Sequence, residues 1–159
     1  MAVEAYELTT KGGSTDFGAV IAACESVGPY CLIGGLAVNC YVEPVYTLDA
    51  DLVVVGGKLP TVTEALRSYP VSDLRVQFTT DPRYETFPSR AIPGKVLGVQ
   101  VRIACLEDLA QGKLWAWGDS ARRLVKRKKD ELDLIRLAEA YPHIKARYPD
   151  ALRRMMEQE

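Results

Sequence analysis

Tyr30 to Val55 reads YCLIGGLAVNCYVEPVYTLDADLVVV, and this stretch decides the fold. Tyr30-Cys31-Leu32-Ile33 is a short apolar run that stops at Gly34-Gly35, the pattern of a buried strand whose chain must then turn sharply. Leu36 to Val42 has helical character. The ring of Pro44 disfavours helical backbone at Glu43, so the helix is expected to end there. Asp49-Ala50-Asp51 then leads into Leu52-Val53-Val54-Val55, a strand rich in β-branched residues. Side chains alternate along a strand, so Asp49 and Asp51 are expected on one face, close enough to share a cation.

Two like charges so close repel each other and call for compensation. Mg²⁺, which is satisfied by one or two carboxylates together with water and substrate phosphates, supplies it and leaves positions for a nucleotide. The plainer reading of an Asp-x-Asp motif alone is a solvent-exposed strand end. The upstream glycine pair speaks for the first reading. A strand ending in Gly-Gly before a helix lets backbone approach a phosphate, with amide donors facing it.

In order and spacing these residues resemble the nucleotidyltransferase superfamily, whose signature is an apolar strand, Gly-Gly or Gly-Ser, a short helix, then Asp-x-Asp or Asp-x-Glu. Ile33-Gly34-Gly35 and Asp49-Ala50-Asp51 match it, and Thr47 stands where a threonine often precedes the first aspartate. The resemblance covers the first third of the chain. It implies transfer of a nucleoside monophosphate from an NTP to a hydroxyl acceptor, RNA or protein. Gly34, Gly35 and Thr47 would lie at the nucleotide, and Asp49 and Asp51 would be catalytic residues holding Mg²⁺ or Mn²⁺.

Two features depart from that pattern. A third carboxylate from a later strand is common in the superfamily, whereas the polar faces here offer Arg75 and Gln77, then Gln100 and Arg102; the nearest acids are Asp73 and Asp81. Pro44-Val45-Tyr46 also lacks the arginine often seen before the Thr-x-Asp element. A catalytically silent nucleotide- or protein-binding domain of the same fold is therefore the alternative, with an antitoxin-like partner protein as a third reading.

With 159 residues, 48% hydrophobic and 26% charged, the chain is expected to form a single domain over 1–159, with an α/β core over about 16–105 and a helical part over 106–159. No apolar run approaches the roughly 20 residues that span a bilayer. MAVEAYELTT has neither a basic start nor an apolar signal core, so a cytoplasmic protein without a membrane partner is expected. Cys24, Cys31, Cys40 and Cys105 lie in apolar segments at spacings that match no zinc pattern, and read as small reduced core residues. The single histidine, His143, gives no basis for a Ser-His-Asp or Cys-His mechanism, and no GxxxxGK is present.

A first helix is expected over about Phe17 to Val27, capped by Thr15 or Asp16, with Phe17, Val20, Ile21, Cys24 and Val27 on its apolar face. Gly56-Gly57-Lys58 is a turn, and Pro60 opens a helix lined by Val62, Ala65, Leu66 and Tyr69 and ended by Pro70. Leu74, Val76 and Phe78 mark a half-buried strand, Tyr84 to Ala91 a short helix, and Leu97, Val99, Val101 and Ile103 another strand. From Leu106 the pattern is helical. The class is α/β (α+β), a small mixed sheet flanked by helices with a helical C-terminal portion.

In the helix over about Glu107 to Trp117, Lys113 falls within the apolar stripe of Leu106, Leu109, Ala110, Leu114 and Trp117. It must snorkel to water or find an anion. Asp130 and Asp133 share a face of the next helix and can point back at it. This half resembles the AbiEii-type toxins of bacterial toxin–antitoxin systems through Leu106-Glu107-Asp108-Leu109, Lys113, Lys129-Asp130 and Asp133. The resemblance implies that Lys113 contacts nucleotide phosphates, that Asp130 belongs to the catalytic rim, and that a cognate antitoxin is a partner. A solvated helix face pairing with Lys126 and Lys129 is the plainer account of the two acids. Arg122 to Lys129 holds six basic residues in eight, either a guide for a polyanionic acceptor such as RNA or a solvated surface.

Overall fold

A computed structural model of the chain describes residues 13–47, 49–66 and 75–158. Five strands, β1 (Tyr30–Ile33), β2 (Asp49–Val54), β3 (Arg75–Thr79), β4 (Ile92–Val96) and β5 (Val99–Ile103), make one mixed sheet in the order β3-β2-β1-β5-β4. β1 runs antiparallel to β2 and parallel to β5, β2 and β3 are parallel, and β4 and β5 form an antiparallel hairpin. The chain divides into two units at Cys105 and Leu106, and the sheet belongs to the first.

The pairing register sorts the side chains by face. Leu32 lies beside Ile103 and Leu52, so these residues share one face with Ala50, Val54 and Val101. All six are buried. Helix α1 (Gly13–Val27) covers this face: a β-carbon at Gly18 would lie 3.5 Å from Val99 Cγ2, and Phe17, Val20, Ile21 and Cys24 are buried at expected helical spacing. Each wholly buried leucine, such as Leu32 and Leu52, contributes about 2 kcal/mol of transfer free energy. The opposite face carries Cys31, Val53, Arg102, Asp49 and Asp51. Arg102 donates to the carbonyl of Ala91, directly after the short helix α4 (Phe87–Arg90), which packs against β1 and β2.

Several elements differ from the sequence reading. Helix α1 begins at Gly13, so Thr15 and Asp16 fall in its first turn instead of capping it. The helix after the glycine pair, α2, is only Gly34–Val38 and stops well before Pro44; Cys40 and Tyr41 follow in tight turns onto Ala37 and Val38. Helix α3 is Leu59–Leu66, with Val62 buried and Ala65 exposed; Tyr69, Pro70, Asp73 and Leu74 lie outside the described residues.

Strand β4 was not expected. Its sequence, IPGKV, carries a proline, which an edge strand tolerates because one side of its backbone has no ladder to complete. Leu97 and Gly98, at φ 51° and 77°, form the tight turn between β4 and β5, and both values suit the hairpin turn whose twist matches its strands. Leu97 therefore belongs to a turn, although its side chain is buried and keeps the alternating look of a strand.

The second unit is helical: α5 (Leu106–Gly118), α6 (Leu124–Ala140), a 3-10 turn over Pro142–Arg147 that holds His143, and α7 (Asp150–Glu157). Leu109, Leu134, Leu137, Ile144 and Leu152 are buried, and the Tyr148 hydroxyl donates to the Leu134 carbonyl at 2.7 Å.

Candidate functional site

β2 enters the sheet at Asp49, and the alternation expected there is present: Asp49 and Asp51 are half-buried on one face while Ala50 is wholly buried on the other. Antiparallel pairing sets Ile33 beside Asp51, and the chain turns at the next residue, Gly34, whose φ is 75°. A β-carbon at Gly34 would lie 3.0 Å from both Cβ and Cγ of Asp51 and closer still to its Oδ2. Glycine is thus required twice, by a left-handed backbone and by the carboxylate against it. Gly35 is packed less tightly, with its would-be β-carbon 3.5 Å from Thr47 Cγ2. Thr47 Oγ1 accepts from the Asp49 amide at 3.2 Å. The fold therefore gathers Gly34, Gly35, Thr47, Asp49 and Asp51 at one end of β1 and β2.

Asn39 holds this arrangement and escaped the sequence reading. It is buried to 3% exposure, donates through Nδ2 to the Val45 carbonyl at 2.8 Å, and accepts at Oδ1 from the Val45 amide at 3.0 Å. This two-way clamp fixes the loop that delivers Thr47 to Gly35. The signal was available: an asparagine directly after Leu36-Ala37-Val38 sits in a buried run, where a polar side chain needs a partner. The Tyr41 hydroxyl ties the same turn to the Ala104 carbonyl at 2.7 Å.

On the other side of β2, the parallel register places Arg75 beside Asp49 and Gln77 beside Asp51. Both are exposed. Neither adjacent strand supplies a third carboxylate at these positions. Asp81 is engaged elsewhere: it caps the turn at Pro82, accepts from the Arg83 amide at 3.0 Å and pairs with its guanidinium at 2.9 Å, which together hold its carboxyl below the usual range. Among the described residues no group of three or more His, Cys, Asp or Glu is arranged to hold a metal ion. Two carboxylates beside a glycine with no side chain do fit a hard divalent cation that completes its shell with water and phosphate oxygens.

In the second unit, the face of α6 bearing Asp130 and Asp133 points at Lys113. The ammonium lies 3.1 Å from Asp130 Oδ1 and 2.8 Å from Asp133 Oδ2, with side-chain exposures of 12%, 3% and 14% for Lys113, Asp130 and Asp133. Arg122 holds the other oxygen of Asp130 at 2.9 Å, and Arg136 that of Asp133 at 2.9 Å. Burial works against a charged Lys113, but Asp133 and Asp130 more than offset it and hold the ammonium above its ordinary range. The lysine in the apolar stripe has found its anions within the chain.

The basic run is likewise partly engaged. Arg122 and Arg123 precede α6, Arg122 is taken by Asp130, Arg127 donates to the Trp117 carbonyl at 3.0 Å, and Lys128 pairs with Glu131 at 3.1 Å.

With this geometry established, comparison with solved structures identifies the architecture. The antibiotic-resistance factor ANT(2'')-Ia in solution is 16% identical, with 95% of this chain and 100% of that chain covered and a TM-score of 0.54. The crystal structure of ANT(2'')-Ia with adenylyl-2''-tobramycin is 14% identical, covering 92% and 98%, with a TM-score of 0.57. The chain shares the nucleotidyltransferase fold. An antigenic nucleotidyltransferase-like protein from Paracoccidioides brasiliensis is similar as well, at 17% identity, 94% coverage of both chains and a TM-score of 0.51. No family model and no curated protein matches the sequence. The expected α/β class with a small mixed sheet is therefore established. No helix among the described residues is long and apolar enough to cross a membrane.

Proposed function

We propose that the protein is a nucleotidyltransferase, moving a nucleoside monophosphate from an NTP to a hydroxyl of RNA or protein. The acceptor oxygen bonds to the α-phosphorus, the bond to the bridging oxygen breaks, pyrophosphate leaves, and the acceptor proton passes to solvent. The observation that carries this proposal is the contact of Gly34 with Asp51, which sets the bare backbone turn after β1 directly against one of the two same-face carboxylates. Because α2 has only five residues, the absence of side chains matters here more than a helix dipole.

Asp49 and Asp51 would hold Mg²⁺ or Mn²⁺, which when bound supplies positive charge to the phosphates. Thr47 steadies the Asp49 backbone, and Gly34 and Gly35 admit the phosphates. Lys113 and Asp130 join the proposal through the resemblance to AbiEii-type toxins, Lys113 as a phosphate contact and Asp130 as the catalytic-rim carboxylate that holds its ammonium. A cognate antitoxin comes from the same resemblance, and a cytoplasmic setting agrees with four cysteines that carry no disulfide. Support for the reaction class comes from ANT(2'')-Ia, seen on this fold with an adenylylated compound.

A catalytically silent nucleotide-binding domain is the second reading, favoured by Arg75 and Gln77 at the positions flanking the aspartates. Incubation with each α-labelled NTP, Mg²⁺ or Mn²⁺, and RNA or protein extract separates the two. Label transfer that disappears in Asp51→Ala supports the enzyme; stable NTP binding without transfer supports the silent domain.

A further inference from the structure

The aspartate pair has a strand neighbour on each side. β1 places apolar Ile33 beside Asp51 and then the bare backbone of Gly34, while β3 places Arg75 beside Asp49 and Gln77 beside Asp51. Residues in register on adjacent strands project from the same face, with backbones about 4.8 Å apart. The Arg75 backbone thus lies one strand away from Asp49, and its exposed side chain leaves from the face that the two carboxylates share.

Resting on the nucleotide reading above, we infer that the site holds a single divalent cation and that Arg75 binds the phosphates as a fixed positive charge. Two carboxylates balance one divalent ion. A second ion would need further oxygen ligands, and on this face the adjacent strands offer an amide and a cation. Guanidinium stays protonated at every accessible pH and presents a planar fork that matches two phosphate oxygens. It repels a second cation and neutralises the oxyanions that such a cation would otherwise meet. Gln77, neutral and able to donate, completes the row without adding charge.

The test counts Mn²⁺ bound per protein, by paramagnetic resonance of free Mn²⁺, with each of the four NTP analogues whose α–β bridge resists cleavage. Calorimetry gives the analogue's affinity in parallel. The wild type is expected to bind one Mn²⁺ with the analogue. Arg75→Gln is expected to weaken the triphosphate analogue by about tenfold or more while leaving the corresponding nucleoside unchanged, as for a lost charged hydrogen bond. Arg75→Lys should recover part of that affinity, because it restores the charge without the fork. Arg75→Asp, which adds a third carboxylate, should raise the count to two. A second Mn²⁺ in the wild type, or equal triphosphate affinity in wild type and folded Arg75→Gln, overturns the inference and leaves the nucleotide reading standing. Absence of any Mn²⁺-dependent analogue binding in the wild type removes both.

Discussion

Gly34 stands against the carboxylate of Asp51 with no room for a methyl group: a β-carbon there would meet Asp51 Cβ and Cγ at 3.0 Å. The end of one strand and the acidic start of the next are fitted to each other. Gly34→Ala must therefore either move Asp51 or unwind the turn. Its left-handed backbone alone should cost about 1–3 kcal/mol, and the displaced carboxylate should abolish metal-dependent nucleotide binding. Gly35→Ala serves as the control, since its new carbon meets Thr47 at an ordinary 3.5 Å. Its stability should change by less than about 1 kcal/mol. Urea unfolding of the two variants checks both values, and equal stabilities would contradict the packing described.

Asn39 makes a second prediction. Its two hydrogen bonds to Val45 are internal and reciprocal, so Asn39→Ala removes both at once. The expected loss is about 2–3 kcal/mol. Asn39→Asp should not rescue it, because a carboxylate can accept from the Val45 amide but faces the Val45 carbonyl with no donor. Full stability of the aspartate variant would show that the clamp is not formed as described.

The signature segment was legible for physical reasons. Tyr30-Cys31-Leu32-Ile33, short and closed by a glycine pair, has the pattern of a buried strand, and Gly34 with its positive φ is the residue that a sharp exit demands. Asp49 and Asp51 followed from the two-residue period of a strand. What sequence missed depends on partners remote in the chain. β4 needs an edge position before its proline makes sense, and Asn39 needs the Val45 backbone before its burial does. For Lys113 the apolar stripe leaves a choice between snorkelling and an anion, and helix periodicity allows Asp130 and Asp133 to point back at it; only the packed helices show that both carboxylates reach its ammonium.

Lys113→Met should accordingly destabilise the second unit, because it leaves Asp130 and Asp133 buried with their central cation gone. Breaking a buried pair in this way costs about 3–5 kcal/mol. The ammonium is held above its ordinary pKa, so its contribution is fully present below that ordinary value and lost only as pH rises through the raised one. The stability difference between wild type and variant, from denaturant unfolding, should thus stay level from about pH 8 to pH 10. A decline within that window would place the lysine in a less anionic setting.

Burial pushes the Cys40 thiol up to about 11, and burial, aided by the nearby Glu25 charge, pushes Cys24 up to about 12. Little thiolate exists at pH 8 in either case. Alkylation of native protein by iodoacetamide at that pH should be about a hundredfold slower at Cys40 than at an unhindered cysteine, and should accelerate as pH approaches the raised value. Mass spectrometry of timed samples reads this directly. Rapid modification of Cys40 at pH 8 would contradict its half-buried place, where Sγ donates to the Leu36 carbonyl at 3.4 Å.

Calorimetric titration of an NTP in the presence of Mg²⁺, with wild type, Asp49→Asn and Asp51→Asn, tests the central claim that these two aspartates hold the cation of a nucleotide site. Binding is expected in the wild type and a drop of about a hundredfold or more in both variants, with folding retained in each and mutual repulsion of the carboxylates relieved. Equal affinity for NTP and Mg²⁺ in all three proteins would contradict the assignment.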